Sequence, residues 1–404
     1  MTEQELANVI WDIKEIIRNL YDDTEVEDVI LPFTLLRRLD CVLESSYDSI
    51  LEELNKCAEN MKKYKLLQLM KQNNLTFFNT SGLSLRKLLN SPDQIGDSFK
   101  TYLDGFTDNV KDILVNFVRE DSDSETVDLS KIYSRLDRGN TLYAVTKQFV
   151  EKADLHPDAV SNAMMGTIFE IVIRRSKEST NTKAGQYYTP REIVRLLVSL
   201  TMSGKEQELF IPGRAFTIYD PCCGTGGMLT VGREYLQEMA HNPHLKVYLY
   251  GQEVNQKTYA ICKADLLMKG EDQNLDQQLY LGNTLLHDEL FGKKFNFMLA
   301  NPPFGVDWEK EKEAVERDHC PGKRFEAGLP STSDGSLLFL QHMISKMDEV
   351  TGSRIGIVLN GSPLFNGEAG SGWSNIRKML LDRNLLDCIV ALPKNLFYGT
   401  DIST

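Results

Sequence analysis

Nowhere does this sequence run to the ~18 consecutive apolar residues that a membrane-spanning helix needs. Its start, Met1-Thr2-Glu3-Gln4-Glu5, is acidic where a secretory leader would be basic, so a cytoplasmic location with no membrane contact is expected. It also lacks an excess of positive charge. With 45 basic and 58 acidic residues the net charge is -13, the wrong sign for a protein that holds nucleic acid unaided by neutralising phosphates. Acidity is strongest in residues 1–50, with 4 basic against 12 acidic groups, so any contact with DNA would take much of its electrostatics from a partner. The seven cysteines (41, 57, 222, 223, 262, 320 and 388) are odd in number and scattered, which fits a reducing compartment better than a disulfide framework. They form no repeated CxxC, and the six histidines form no HxxxH, so no metal site is expected.

What is present is ordinary globular composition, 42% hydrophobic and 25% charged over 404 residues, enough for two domains at roughly 150 residues each. Leu6, Val9, Ile10, Ile13, Ile16, Ile17 and Leu20 recur at three- and four-residue intervals, which predicts an amphipathic helix. A second helix is expected from Leu31, with Pro32 in its first turn, and further helices to about residue 150, with no strand-like alternation of any length. The acidic run at 120–128 reads as a surface loop. Beyond about residue 162 a helix, a polar connector and a helix from Pro190 precede short β-rich runs separated by helical lengths. The runs are 215–220, 246–254, 279–282, 295–300, 354–360 and 385–392. Strands alternating with helices predict an α/β, doubly wound parallel sheet with its ligand site at the carboxyl ends of the strands. The expected domains are a helical one at 1–155 and an α/β one at 156–404.

Three motifs carry chemistry. Asp220-Pro221-Cys222-Cys223-Gly224-Thr225-Gly226-Gly227 follows an apolar strand and precedes a helical run. Glycines there let the backbone approach a ligand closely, and the following helix offers free N–H groups. It is neither a phosphate-binding Walker loop nor the dinucleotide fingerprint, because Leu229 stands where a third glycine belongs. Such turns also occur without a ligand. Glu253 closes the next strand, where a carboxylate can accept hydrogen bonds from both ribose hydroxyls, although a strand-end acid is often simply solvated. The pairing of turn and acid points to a nucleoside. The third motif is Asn301-Pro302-Pro303-Phe304 after the apolar run FNFMLA. On its own it could be a proline turn with a buried Phe.

That quartet is similar to the catalytic motif of amino-group methyltransferases that use S-adenosylmethionine. An exocyclic aromatic amine is a poor nucleophile because its lone pair is delocalised into the ring. The Asn301 side-chain carbonyl and the Pro302 backbone carbonyl, each accepting one N–H, would hold the nitrogen toward tetrahedral geometry, while two prolines stiffen the turn and Phe304 stacks on the base. With LPFTLLRRLDCVL near the start and GQYYTPREIV before the glycine turn, the chain resembles the modification subunit (HsdM) of Type I restriction-modification systems, a gamma-class DNA adenine methyltransferase.

The resemblance implies an S-adenosylmethionine-dependent methyltransferase (Rossmann-like) fold with an all-α N-terminal domain. It implies that Asp220, Gly224, Gly226 and Glu253 bind the cofactor and that Tyr188, Thr189 and Pro190 line its methionine side. Asn283 stands where an acidic residue usually reads the cofactor adenine; an amide could still hydrogen-bond that ring. Adjacent Cys222 and Cys223 read as small packing residues rather than a redox pair. Transfer would be a direct in-line displacement onto an adenine extruded from the duplex, without a cysteine nucleophile or metal. Implied partners are DNA, a specificity subunit that reads it, two modification subunits per specificity subunit, and an ATP-driven restriction subunit. Residues 306–333, with 5 basic and 7 acidic groups, read by default as a solvated loop whose position allows a DNA role. Family members continue past the point where this sequence stops, so a last strand and C-terminal helices are expected to be missing. Three other functions share part of this pattern: a protein-glutamine methyltransferase, a cytosine amino-methyltransferase and a degenerate scaffold that only binds cofactor.

Overall fold

The computed structural model describes residues 2–117, 119–120, 126–179, 189–269, 278–305, 307–394, 396–397 and 404. The chain forms two compact units, one of residues Met1–Thr182 with Gln256–Leu275, the other of Lys183–Asn255 with Asp276–Thr404. No helix among the described residues is long and apolar enough to cross a membrane.

The first unit is helical. Thr2 and Glu5 form a reciprocal capping box, which satisfies two otherwise orphaned N–H groups and starts the Glu3–Trp11 helix. The predicted stripe is divided at Asp12 into two helices, Glu3–Trp11 and Ile13–Ile17, yet Leu6, Ile10, Ile13 and Ile17 are all buried. The second helix departs further from expectation: it spans Val26–Leu43 and holds Pro32 in its interior rather than its first turn. An interior proline costs about 3 kcal/mol. Burial of 16 of the helix's 18 residues outweighs that cost, with Phe33 stacked between Phe99 and Phe149. The 120–128 run, read as a loop, takes part in a two-rung antiparallel ladder between Arg119–Glu120 and Thr126–Val127.

Compactness does not divide the chain at 155/156, the expected domain boundary. The Asn162–Ser179 helix buries Ile168, Phe169 and Val172 within the helical unit, and the Gln256–Met268 helix belongs there too. A contiguous split could not anticipate the second of these. Inside this unit Lys257 lies 3.1 Å from Glu27 and also bonds Asp28.

The second unit is built on five parallel strands, β1 (Phe216–Asp220), β2 (Val247–Glu253), β3 (Leu279–Leu281), β4 (Phe297–Ala300) and β5 (Arg354–Ile357), in the order β3-β2-β1-β4-β5. Alternation along β1 and β4 sends Ile218 and Leu299 toward Gly232 of the Gly227–Met239 helix. Tyr219, Met298 and Ala300 point the other way, toward Met343 of the Ser336–Ser345 helix. Helices therefore cover both faces, and β4 can be apolar at every residue.

The run at 385–392, expected as a strand, is not one. It lies irregular and exposed, with Leu386 at 45%, Ile389 at 59% and Val390 at 46% exposure. β-propensity becomes a strand only where a neighbouring ladder accepts it, and this segment pairs with no named strand among the described residues.

Candidate active site

The polar residues singled out from the sequence gather at the carboxyl ends of the strands. Asp220 ends β1 at 2% exposure, and its Oδ1 accepts the Cys222 N–H at 2.9 Å. Burial pushes its carboxyl up to about 7; the Cys222 N–H works the other way, and the nearby Glu253 charge adds to the rise. The chain then turns through Gly224 (φ +53°) and Gly226 (φ +84°), backbone conformations that side-chain-bearing residues resist. A Cβ at Gly224 would have no atom within 4 Å, so this glycine faces open space.

Turn and acid, predicted separately, are in direct contact. Gly224 N–H donates to Glu253 Oε2 at 2.7 Å, and Asn255 N–H donates to Oε1 at 2.8 Å. Glu253 is thereby oriented by two backbone donors at the end of β2. The loop after β3 joins the same turn, because Thr284 Oγ1 donates to the Pro221 carbonyl at 2.6 Å. Asn283 is engaged on both sides of its amide, Oδ1 accepting from Leu285 N at 2.9 Å and Nδ2 donating to Glu311 Oε1 at 3.0 Å.

Asn301 follows β4, next to β1 in the sheet. Its Nδ2 donates to Thr189 Oγ1 at 2.8 Å, so a residue predicted on the methionine side braces the predicted catalytic amide. Its Oδ1 is buried and has no hydrogen-bond partner among the described residues. An unpaired buried acceptor costs about 1–3 kcal/mol and calls for an explanation. Pro190 caps the Arg191–Met202 helix, its carbonyl accepting from Ile193 and Val194. Tyr188 lies outside the described residues. Pro302 and Phe304 are buried, and the Phe304 ring meets Phe397 edge to face at 5.6 Å. Sequence reasoning gave Phe397 no role.

Residues 307–333, read by default as a solvated loop, are anchored instead. Trp308 and Phe325 pack with Leu285, Val315 and Leu338, and Cys222 packs against the same cluster. Arg324 donates to the carbonyls of Thr284 (2.7 Å) and Leu285 (3.2 Å). Two large aromatics inside a charged stretch were the available signal. Cys222 and Cys223 are free thiols; burial raises the Cys222 thiol well above its usual range, which suits the packing role expected.

Residues 160–404 match the family model described as N-6 DNA Methylase, and residues 6–149 match the HsdM N-terminal domain. The chain belongs to the N-6 DNA methylase family. Within that family, it is 27% identical over 303 residues to the Type I restriction enzyme MjaVII methylase subunit of Methanocaldococcus jannaschii, covering 72% of this chain and 46% of that protein. It is 29% identical over 245 residues to the HindI methylase subunit of Haemophilus influenzae, covering 59% and 49%. The chain thus spans about half the length of these curated relatives. A crystal structure of a type I restriction-modification methyltransferase subunit from Streptococcus thermophilus superposes with a TM-score of 0.72 at 22% identity, over 100% of this chain and 83% of that one. At that identity the likeness concerns the fold, which is the methyltransferase fold with a helical N-terminal region that the motifs implied.

Proposed function

We propose that this N-6 DNA methylase acts as the modification subunit of a Type I restriction-modification system, methylating the exocyclic amine of adenine in DNA. The observation that carries the reading is Asn301 Oδ1, a buried acceptor without a partner among the described residues, placed at the strand end beside the glycine turn. A target amine would supply the missing donor.

The strand-end residues fit S-adenosylmethionine. Gly224 presents open backbone, Glu253 presents an oriented carboxylate for the ribose, and Asp220 and Thr189 stand on the side of Asn301. Bound there, the cofactor supplies a methyl carbon made electrophilic by its sulfonium. Asn301 Oδ1 and the Pro302 carbonyl each accept an N–H of the adenine amine, localising its lone pair for in-line attack, so catalysis is positioning and polarisation. The base must first leave the duplex. In the structure Phe304 is covered by Phe397, so stacking on an extruded base requires these two rings to part or rotate.

The net charge of -13 supports division of labour, with a specificity subunit reading the DNA, two modification subunits serving each, and a restriction subunit completing the assembly. The test is incubation with labelled S-adenosylmethionine, unmethylated DNA and a Type I specificity subunit from the same source. Label in N6-methyladenine is expected. Label on a protein glutamine, label on cytosine, or no transfer would each reject the reading in favour of a glutamine methyltransferase, a cytosine enzyme or a scaffold respectively.

A further inference from the structure

The strand order arranges the site as a row. Asn301 follows β4, the glycine turn follows β1, Glu253 closes β2 and Asn283 follows β3, with the strands ordered β3-β2-β1-β4. If transfer occurs beside Asn301 and the ribose sits on Glu253, the purine joined to that ribose falls on the β3 side, away from the point of transfer. Its 6-amino group needs a hydrogen-bond acceptor.

Asn283 is the polar side chain at that strand end, but both ends of its amide are already engaged by Leu285 and Glu311. Its oxygen keeps one lone pair, but a neutral amide is a weaker acceptor than the carboxylate it bonds. Glu311 is half-buried, and its second carboxylate oxygen makes no hydrogen bond among the described residues. It is also held in place. Its N–H donates to the Trp308 carbonyl at 3.0 Å, and Trp308 is 2% exposed with its Nε1 bonded to the Ser331 carbonyl at 2.9 Å. Arg324, further along the same segment, fastens it to the Thr284 and Leu285 carbonyls.

We infer that Glu311, carried by the segment after Asn-Pro-Pro-Phe, is the carboxylate that accepts the 6-amino group of the cofactor adenine, with Asn283 as its brace. This rests on the cofactor reading above. It assigns to a residue 28 positions beyond Asn283 the contact that the resemblance would give to position 283 itself.

Calorimetric titration of the chain with S-adenosylhomocysteine and with S-inosylhomocysteine, which carries a 6-oxo group, provides the test. A carboxylate accepts from the amine and repels the oxo group, so the adenosyl compound should bind at least ~10-fold more tightly, the value of one charge-assisted bond. Glu311→Gln can donate its amide N–H to the oxo group and should narrow the ratio to within about 3-fold. Glu311→Ala should lose affinity for the adenosyl compound while the inosyl compound keeps or gains affinity; Glu309→Gln, on the same short turn, should leave the ratio as it was. Should the Gln variant not fold, the Ala variant still decides. A wild-type chain that binds both compounds equally, or a ratio unmoved by both Glu311 substitutions, overturns the assignment and leaves the cofactor reading intact. A wild-type chain that binds neither compound overturns both.

Discussion

Around the Val26–Leu43 helix of the helical unit, buried charge is met by nearby partners. Arg38 donates to the Leu155 and Val160 carbonyls at 2.6 and 2.8 Å, Arg37 donates to the Ala153 carbonyl at 3.0 Å, and Lys257 lies between Glu27 and Asp28. At the strand ends of the α/β unit, by contrast, Asn301 keeps a buried oxygen without a partner and Gly224 holds a left-handed turn facing open space. Polar groups in the first region fix the packing of helices; those in the second are oriented but left with bonding capacity. An unpaired oxygen alone does not mark a site, since Asp265 Oδ1 on the Gln256–Met268 helix is also buried without a partner among the described residues; what marks Asn301 is its place at the strand end beside the glycine turn, and substitutions in the two regions should harm different observables.

The largest effect is expected at Asn301. Asn301→Ala should lower methyl transfer by at least ~100-fold, the usual cost of losing an oriented catalytic hydrogen-bonding group, while S-adenosylhomocysteine binds nearly as before. Parallel kinetics and calorimetry check this, and equal loss of transfer and binding would contradict it. In the helical unit Lys257→Met should act on stability alone. Burial pulls the Lys257 ammonium down, but Glu27 and Asp28 outweigh it and hold its pKa above the usual lysine range. Removing the cation leaves two buried carboxylates poorly compensated and should cost about 3 kcal/mol in urea unfolding.

Gly224→Ala should combine both kinds of harm in smaller measure. No atom would clash, so the penalty is backbone strain of about 1–2 kcal/mol, together with weaker cofactor binding where the turn must relax. A further effect is a pH slope shared by the two regions. Burial pushes both Asp40, in the helical unit, and Asp220 up to about 7 from an unfolded value of 3.8. Between about pH 4 and 7 the folded chain holds protons that the unfolded chain has released, so stability should fall as pH rises through that window. Asp40→Asn and Asp220→Asn should each flatten part of the slope in melting-temperature scans from pH 5 to 8. Saturating S-adenosylhomocysteine should alter only the part that belongs to Asp220.

The same contrast explains what could be read beforehand. The placement of the candidate site was legible because its motifs are local in sequence: Asp220 to Gly227, Glu253 and Asn301 to Phe304 each sit at a strand end, and parallel-sheet topology gathers strand ends on one edge. Helix periodicity likewise located Leu6, Ile10, Ile13 and Ile17 in the core. What was missed depends on distant partners. Pro32 lies mid-helix because surrounding helices bury that segment; 385–392 is irregular because no neighbouring ladder takes it; and Glu311 is tied to the β3 strand end only by its bond to Asn283, 28 positions away. Membership of the Gln256–Met268 helix in the helical unit was equally invisible, since nothing in its own residues names the side chains it packs among.

Central to the account is one set of strand-end groups: the glycine turn, Glu253 and the Asn301 amide. A crystal structure of the chain with saturating S-adenosylhomocysteine tests it most directly. The account predicts the ribose hydroxyls on Glu253, the backbone of Gly224–Gly226 against the ligand, and the sulfur on the side of Asn301 Oδ1. Ligand density elsewhere, or none against these groups at saturating ligand, would contradict it.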